Sequence, residues 1–250
     1  MPYRIMDLTA AADYLHVSRS ELEQLVKTTE IPHQNRGGRI VFMRGELDAW
    51  ASQRILGLPP KRLAAYHQKS TQGTRAIFAQ DVLLPELLQP GFIEAALSAK
   101  TKKSVIRELV ALAERTGRVL DPADLLGSVE AREELCSTGL PGGLAILHCR
   151  NHESYRFESS FIVLGRTLQE IHFGAPDGRP TWLFFLICCQ DERIHLHTLA
   201  RLCLIVQKTN IISQLLAAPN ADAMYRDLLA AEETALAGKK PPSGLAAPAA

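Results

Sequence analysis

The sequence predicts an α/β body preceded by a small three-helix module with a β-hairpin. Three observations carry this. Residues 6–53 hold short amphipathic helical stretches and a Gly-Gly turn between two extended runs. Beyond residue 81, helical patterns lie before, between and after short apolar runs, the order expected of an α/β body. Between them, Gly57-Leu58-Pro59-Pro60 breaks any helix leaving the first module. The expected organisation is a module over 6–53, a linker over 54–80, a body over 81–237 and a disordered tail over 238–250.

Composition narrows the class. A chain of 250 residues suits one large or two small domains, and 46% hydrophobic residues suffice for a core. The net charge of +1 hides an asymmetry: residues 1–75 hold 11 Lys+Arg against 7 Asp+Glu, and the remainder 17 against 20. A basic N-terminal stretch on a mildly acidic body points weakly to nucleic acid. The five cysteines, Cys136, Cys149, Cys188, Cys189 and Cys203, lack the spacing of a zinc site, and their odd number argues against a disulfide framework. They read as reduced core thiols. The N-terminus lacks a signal-peptide pattern. The longest apolar run, Trp182 to Cys189, is too short to span a bilayer. The expectation is a cytoplasmic protein with no membrane segment and no metal.

In the module, Thr9 is the expected N-cap of a first helix with Ala11, Ala12 and Leu15 apolar. Ser18-Arg19-Ser20-Glu21 reads as a capping box. The second helix runs to about Lys27, burying Leu22, Leu25 and Val26. Its other face carries Arg19, Ser20, Glu23, Gln24 and Lys27, side chains suited to phosphates and base edges. Ile31 to Phe42 reads as a hairpin turning at Gly37-Gly38, with Arg36 and Arg39 forming a basic tip. A third helix starts near Gly45, with Leu47 and Trp50 apolar. Lys61 to Ala79 is polar and mixed, and reads as a linker with one short helix.

In the body, Leu83 to Leu88 is a short amphipathic segment ended by Pro90-Gly91. A helix follows Thr101, with Gly117 just past its end. Asp121 and Pro122 are the N-cap and first residue of another. Phe161-Ile162-Val163-Leu164, Ile171-His172-Phe173 and Trp182 to Cys189 read as short strands, punctuated by Gly165 and the 174–178 turn. A long helix begins near His195, and a last one spans about 221–236.

One stretch carries chemistry: Ser137-Thr138-Gly139-Leu140-Pro141-Gly142-Gly143, then the apolar run Leu144 to Leu147, then His148-Cys149-Arg150. Glycines let backbone N–H groups approach an anion. A buried strand fixes where the histidine points. Neutral imidazole is a good nucleophile near pH 7, and nearby donors stabilise charge on transferring oxygens. Taken alone, the stretch reads first as a Gly-rich loop entering a core strand, with an ordinary surface histidine. Cys149 is either an incidental thiol or a redox modulator of its neighbour. His152, His172 and His197 read as structural or solvent-facing.

Two resemblances sharpen this. Leu8-Thr9, Ala11-Ala12, Leu15-x-Val17-Ser18, Ile31-Pro32, Arg36-Gly37-Gly38-Arg39 and Glu46-Leu47-x-Ala49-Trp50 resemble the excisionase-like winged helix-turn-helix family, related to MerR-type DNA-binding domains. The resemblance implies double-stranded DNA as partner, read by Arg19, Ser20, Gln24 and Lys27 in the major groove, with Arg36 and Arg39 of the wing against the backbone or minor groove. It leaves a protein-interaction module as the alternative. A two-fold DNA site would imply a homodimer.

The body resembles a type-2 enzyme IIA domain of the bacterial phosphotransferase system, the fructose/mannitol and nitrogen-regulatory branch. The likeness is carried by Ala99-Lys100, Val105-Ile106, Leu109, Asp121, Leu125-Leu126 and Arg132-Glu133. It continues through Ser137-Thr138-Gly139, Gly142 to Ile146, His148, Gly174 to Gly178, and His195-Leu196-x-x-Leu199-Ala200. It implies a mixed sheet with flanking helices and His148 as phospho-acceptor beside His195. The phosphoryl group would come from a phosphohistidine on an HPr-like carrier, and no metal or nucleotide cofactor is needed. Ser137 and Thr138, with Arg132 and Arg150, are the candidates for holding the phosphoryl oxygens. The family usually has proline before the active histidine, where this chain has Leu147. Three functions follow: a cytoplasmic regulator coupling phosphorylation of His148 to DNA or a regulated partner, a plain phosphocarrier enzyme, or a non-phosphorylated sensor built on a degenerate IIA body.

Overall fold

The computed structural model describes residues 5–74, 83–150, 153 and 155–237. The expected tail at 238–250 and the last part of the expected linker lie outside the described residues. The N-terminal part contains β1 (Ile5–Met6), α1 (Leu8–Tyr14), α2 (Arg19–Lys27), β2 (Gln34–Arg36), β3 (Arg39–Met43) and α3 (Arg44–Leu56). The strands pair antiparallel in the order β1-β3-β2. The N-cap of α1 is Asp7 rather than Thr9: its carboxylate accepts from Ala10 N at 2.8 Å, and Thr9 lies inside the helix. Ser18 caps α2, accepting from Glu21 N at 3.2 Å, which is one half of the expected capping box. The Glu21 carboxylate meets Arg54 Nη2 at 3.3 Å, tying α2 to α3. Gly37 and Gly38 both have positive φ, 58° and 80°, as a type I′ hairpin turn requires. Ala11, Leu15, Leu22, Phe42 and Leu47 form the buried centre.

The body holds α5 (Leu84–Leu87), a 3₁₀ turn at Pro90–Phe92, β4 (Ile93–Leu97), α6 (Lys102–Arg115), α7 (Pro122–Leu135), β5 (Gly139–Leu140), β6 (Leu144–His148), β7 (Phe161–Ile171), β8 (Thr181–Cys188), α8 (Glu192–Lys208), α9 (Ile211–Ala217) and α10 (Ala221–Ala237). Its five-stranded mixed sheet has the order β4-β7-β8-β6-β5. β4 and β7 run parallel, β7 and β8 antiparallel, β8 and β6 parallel, and β6 and β5 antiparallel. Thr101 and Asp121 cap α6 and α7.

Three features differ from the sequence reading. The edge strand β4 is new, because Glu94-Ala95-Ala96 carries no strong strand signal. β7 is one strand through Gly165 rather than two runs. A Cβ at Gly165 would collide with Leu97 Cδ1, so this glycine lets β4 approach rather than ending a strand. α8 starts before His195, because Asp191 caps it, accepting from Ile194 N at 2.9 Å.

The largest correction concerns the linker. Residues 60–74 form a 15-residue helix, α4 (Pro60–Thr74), packed along α8. Leu63, His67 and Ser70 are buried. Arg201 Nε of α8 donates to His67 Nε2 at 2.7 Å, and Ser70 Oγ lies 2.9 Å from His197 Nδ1. The His67 and His197 rings stack with centroids 5.0 Å apart. Arg201 also pairs with Glu232 of α10, whose carboxylate accepts from Leu83 N at 2.9 Å and Leu84 N at 3.0 Å. His197 is therefore a packing residue of the α4–α8 seam.

This seam is pH-sensitive. Burial, then the charges of Arg201 and His16, push the His197 pKa down to about 3 from an ordinary 6.5. Above pH 6.5 the ring is neutral in folded and unfolded chains alike. As pH falls from 6.5 toward 3, the unfolded chain takes up a proton that the folded chain refuses, so stability falls, by up to about 1.4 kcal/mol per pH unit for one such group. Thermal unfolding between pH 7 and 5 should show a smaller loss of Tm for His197→Gln than for the wild type. Equal losses would assign the sensitivity to other groups.

Candidate active site

β6 delivers His148 to its site. All five of its residues are buried, and His148 sits opposite Ile187 of the parallel neighbour β8. His148 Nδ1 lies 3.1 Å from Ile146 O. A carbonyl only accepts, so Nδ1 carries the proton and Nε2 keeps its lone pair. Arg132 Nε, from the last turn of α7, donates to that Nε2 at 3.0 Å. Arg132 is itself buried, and its Nη1 donates to Cys136 O at 3.0 Å. Its Nη2 is buried with no hydrogen-bond partner among the described residues. The ring of His195, from the first turn of α8, lies 4.8 Å from that of His148, centroid to centroid, at an angle of 43°. Ser52 Oγ of α3 lies 3.1 Å from His195 Nε2. His148 is 1% exposed and His195 0%.

The arrangement holds a neutral, oriented imidazole between a fixed guanidinium and a second imidazole. A buried nucleophilic nitrogen with a cation against it suits attack on an electron-poor, anion-bearing centre such as phosphorus.

Of the six residues expected here, His148, His195 and Arg132 come together. Thr138 Oγ1 instead donates to Glu133 Oε2 at 2.6 Å, and Thr138 N donates to the same carboxylate. Glu133 is in turn paired with Lys102 Nζ at 2.7 Å. Ser137 Oγ donates to Phe173 O at 2.9 Å and accepts from Gly139 N at 3.1 Å. These hydroxyls brace the loop. Gly142 N, read as an anion donor, donates to Asp177 Oδ2 at 2.9 Å, and the Gly142 and Arg179 N–H groups hold the Asp177 pKa down. Arg150 is exposed and lines a groove of about 890 Å³ between α3 and α7. Ser52 is the residue sequence reasoning missed. It lies 143 positions from its partner, in a module read as separate, and no local pattern marks it. Among the described residues, no three His, Cys, Asp or Glu side chains form a metal-binding group.

The six residues expected at DNA are all exposed. Arg19, Lys27 and Arg39 share one groove joining α2 to the hairpin. Arg19 is paired with Glu23 at 3.0 Å, Ser20 Oγ lies 3.1 Å from Ser18 Oγ, and Arg36 donates to Gln34 Oε1 at the hairpin tip. Gln24 lies apart, lining a cavity with Trp50, Arg54 and Tyr66.

Cys149 does not fit a redox role. It is buried, and burial pushes its pKa up to about 11, so the thiolate that oxidation requires is scarce. Cys188, Cys189 and Cys203 are likewise buried, and only Cys136 is half-exposed. Titration of the native protein with a thiol reagent at pH 8 should modify Cys136 well before the other four. Fast modification of Cys149, read by peptide mass, would contradict the assignment.

Residues 86–231 match the family model described as "Phosphoenolpyruvate-dependent sugar phosphotransferase system, EIIA 2", and residues 5–55 match one described as "Helix-turn-helix domain". The chain is 28% identical over 147 residues to a nitrogen regulatory protein of Pseudomonas aeruginosa, a match covering 58% of this chain and 94% of that one. It is 29% identical over 143 residues to the PTS system fructose-specific EIIABC component of Bacillus subtilis; that match covers 56% of this chain and only 22% of the relative. The crystal structure of nitrogen regulatory protein IIA-Ntr from Neisseria meningitidis superposes with a TM-score of 0.53 at 30% identity, covering 59% of this chain and 99% of that one. With a matched region spanning more than half its length, the chain belongs to the EIIA type 2 family of the phosphoenolpyruvate-dependent sugar phosphotransferase system, joined here to an N-terminal helix-turn-helix region.

Proposed function

We propose that this chain is a cytoplasmic regulator that accepts a phosphoryl group on His148 from the phosphohistidine of an HPr-like carrier and couples it to DNA binding by the N-terminal module. The observation that carries the reading is the Nε2 lone pair of His148, fixed by the Nδ1 contact to Ile146 O and faced by Arg132. Arg132 Nε–H must first release the Nε2 lone pair; as Nε2 then bonds to phosphorus, the carrier's N–P bond breaks and the carrier imidazole leaves with the bonding pair. Positive charge developing on the His148 ring is shared through Nδ1–H with Ile146 O. Arg132 Nη2 is a donor available to a phosphoryl oxygen, and the His195 ring lies 4.8 Å from that of His148. Transfer between two histidines is nearly balanced in energy, so positioning supplies most of the rate. Two relatives are named nitrogen regulatory proteins, which favours a nitrogen-status signal over sugar transport. Among the described residues, no helix is long and apolar enough to cross a membrane.

Incubation with phosphoenolpyruvate, enzyme I and an HPr-type carrier should add one acid-labile phosphoryl group to the wild type and none to His148→Ala, read by intact mass. No gain in the wild type would leave the body as a non-phosphorylated binding domain. For the module, Arg36→Ala should weaken binding to all duplex sequences alike and lower the slope of log affinity against log salt by about 1. An unchanged slope in an anisotropy titration would remove DNA as the ligand of this hairpin. A two-fold DNA site would pair two copies of the chain.

A further inference from the structure

We propose that the helix-turn-helix module is the gate of the phospho-acceptor site: docked, it seals the face through which a phosphoryl donor reaches His148, and docking of the module and phosphorylation of His148 exclude one another. The proposal rests on the reading of His148 as acceptor and names how that site is regulated.

Transfer from another protein requires the donor phosphorus within about 3–3.5 Å of Nε2, in line with it. His148 and His195 are closed to solvent, and what lies against His195 is Ser52 of the module. α3 packs on α8, the helix that carries His195, and its Ser52 meets that histidine. Toward α7, the helix that carries Arg132, Gly45 and Ala49 line one side of an open groove whose other side is Ala123, Gly127 and Ala131. α3 thus closes the His195 side of the site, and a carrier reaching His148 from that side meets the module first. A phosphoryl group on Nε2 needs donors for three oxygens, and the Nε2 of His195 is engaged by the Ser52 hydroxyl while the module is docked.

The docked state is also loosely held where it must open. Gly57, Leu58 and Pro59 separate α3 from α4. α4 is pinned to α8 by the His67–Arg201 and Ser70–His197 contacts. Between the module and α4 lies a cavity of about 490 Å³ lined by Leu25, Trp50, Arg54, Tyr66 and Lys69. Tyr66 Oη and His16 Nε2 are buried without a hydrogen-bond partner among the described residues. Unfilled volume and unsatisfied polar atoms both weaken an interface. A seam of this kind can be tipped by a new doubly charged group beneath it. The module then swings on residues 57–59 while α4 stays in place.

The test uses the full-length chain. In Ser52→Arg the long charged side chain replaces a hydroxyl on the body-facing side of α3, so the module can fold but cannot dock. Its initial rate of phosphoryl uptake from a phosphorylated HPr-type carrier should exceed the wild-type rate by roughly tenfold or more, at the same final stoichiometry. Hydrogen exchange in the wild type should show the α8 amides under α3 losing protection on phosphorylation, to the level of unphosphorylated Ser52→Arg. Should Ser52→Arg fail to fold by circular dichroism, Ser52→Ala carries the rate comparison, with a smaller increase expected, and the wild-type exchange experiment stands by itself. Equal rates with unchanged α8 protection would overturn the gate and leave His148 as acceptor. A slower variant would make Ser52 an aid to transfer and also overturn it. No phosphorylation of either protein would remove both readings.

Discussion

Arg201 carries a permanent positive charge into the interior on α8, 1% exposed, and much of the molecule is arranged around that fact. A buried guanidinium must be paired and hydrogen-bonded or the fold does not survive. Its partners come from opposite ends of the chain: His67 of α4 and Glu232 of α10. Glu232 also accepts the two N–H groups at the start of α5, which anchors the entry into the body. His195, His197 and Thr198 are buried on the same helix. A helix with this many buried polar groups cannot be covered by an apolar sheet alone. It needs polar side chains from elsewhere, and α3 and α4 bring Ser52, His67 and Ser70.

This explains which parts of the molecule were legible in the sequence. Signals written within a few residues were readable: the Ser18 cap, the Gly37-Gly38 turn, Thr101 and Asp121 opening their helices, and the buried run that ends on His148. The family resemblance, not the local pattern, singled out His148, His195 and Arg132, and the fold brings those three side chains together. What depends on distant partners was not readable. The 60–74 segment looks like a linker because its polar residues suggest solvent, yet His67 and Ser70 are polar because Arg201 and His197 need them. Gly165 looks like a strand end, and only the approach of Leu97 shows why it is glycine. Ser137 and Thr138 look like phosphate donors because hydroxyls beside glycines often are. Glu133 and Phe173, brought close by the fold, engage them instead.

The site itself divides the labour by rigidity. β6 and its pairing with β8 fix the backbone of His148, and the contact to Ile146 O fixes the ring. Leu147, in place of the proline common to the family, lies inside this paired strand, so the strand does the orienting. Lys102, Glu133 and Thr138 form a chain that braces the start of the glycine loop. The side chains beside the His148 ring are Arg132 of α7 and His195 of α8, and α8 packs against α3 of the module.

The three residues between α3 and α4 have a consequence for how such a protein responds in a cell. Because α4 stays fixed to α8, the module is never more than a short tether from its docking face. Its return is intramolecular, and the local concentration that drives it is set by tether length rather than by expression level. Under the gate proposed above, the switching point is independent of how many copies of the chain are made and is set by the fraction of copies phosphorylated, a ratio and not an amount.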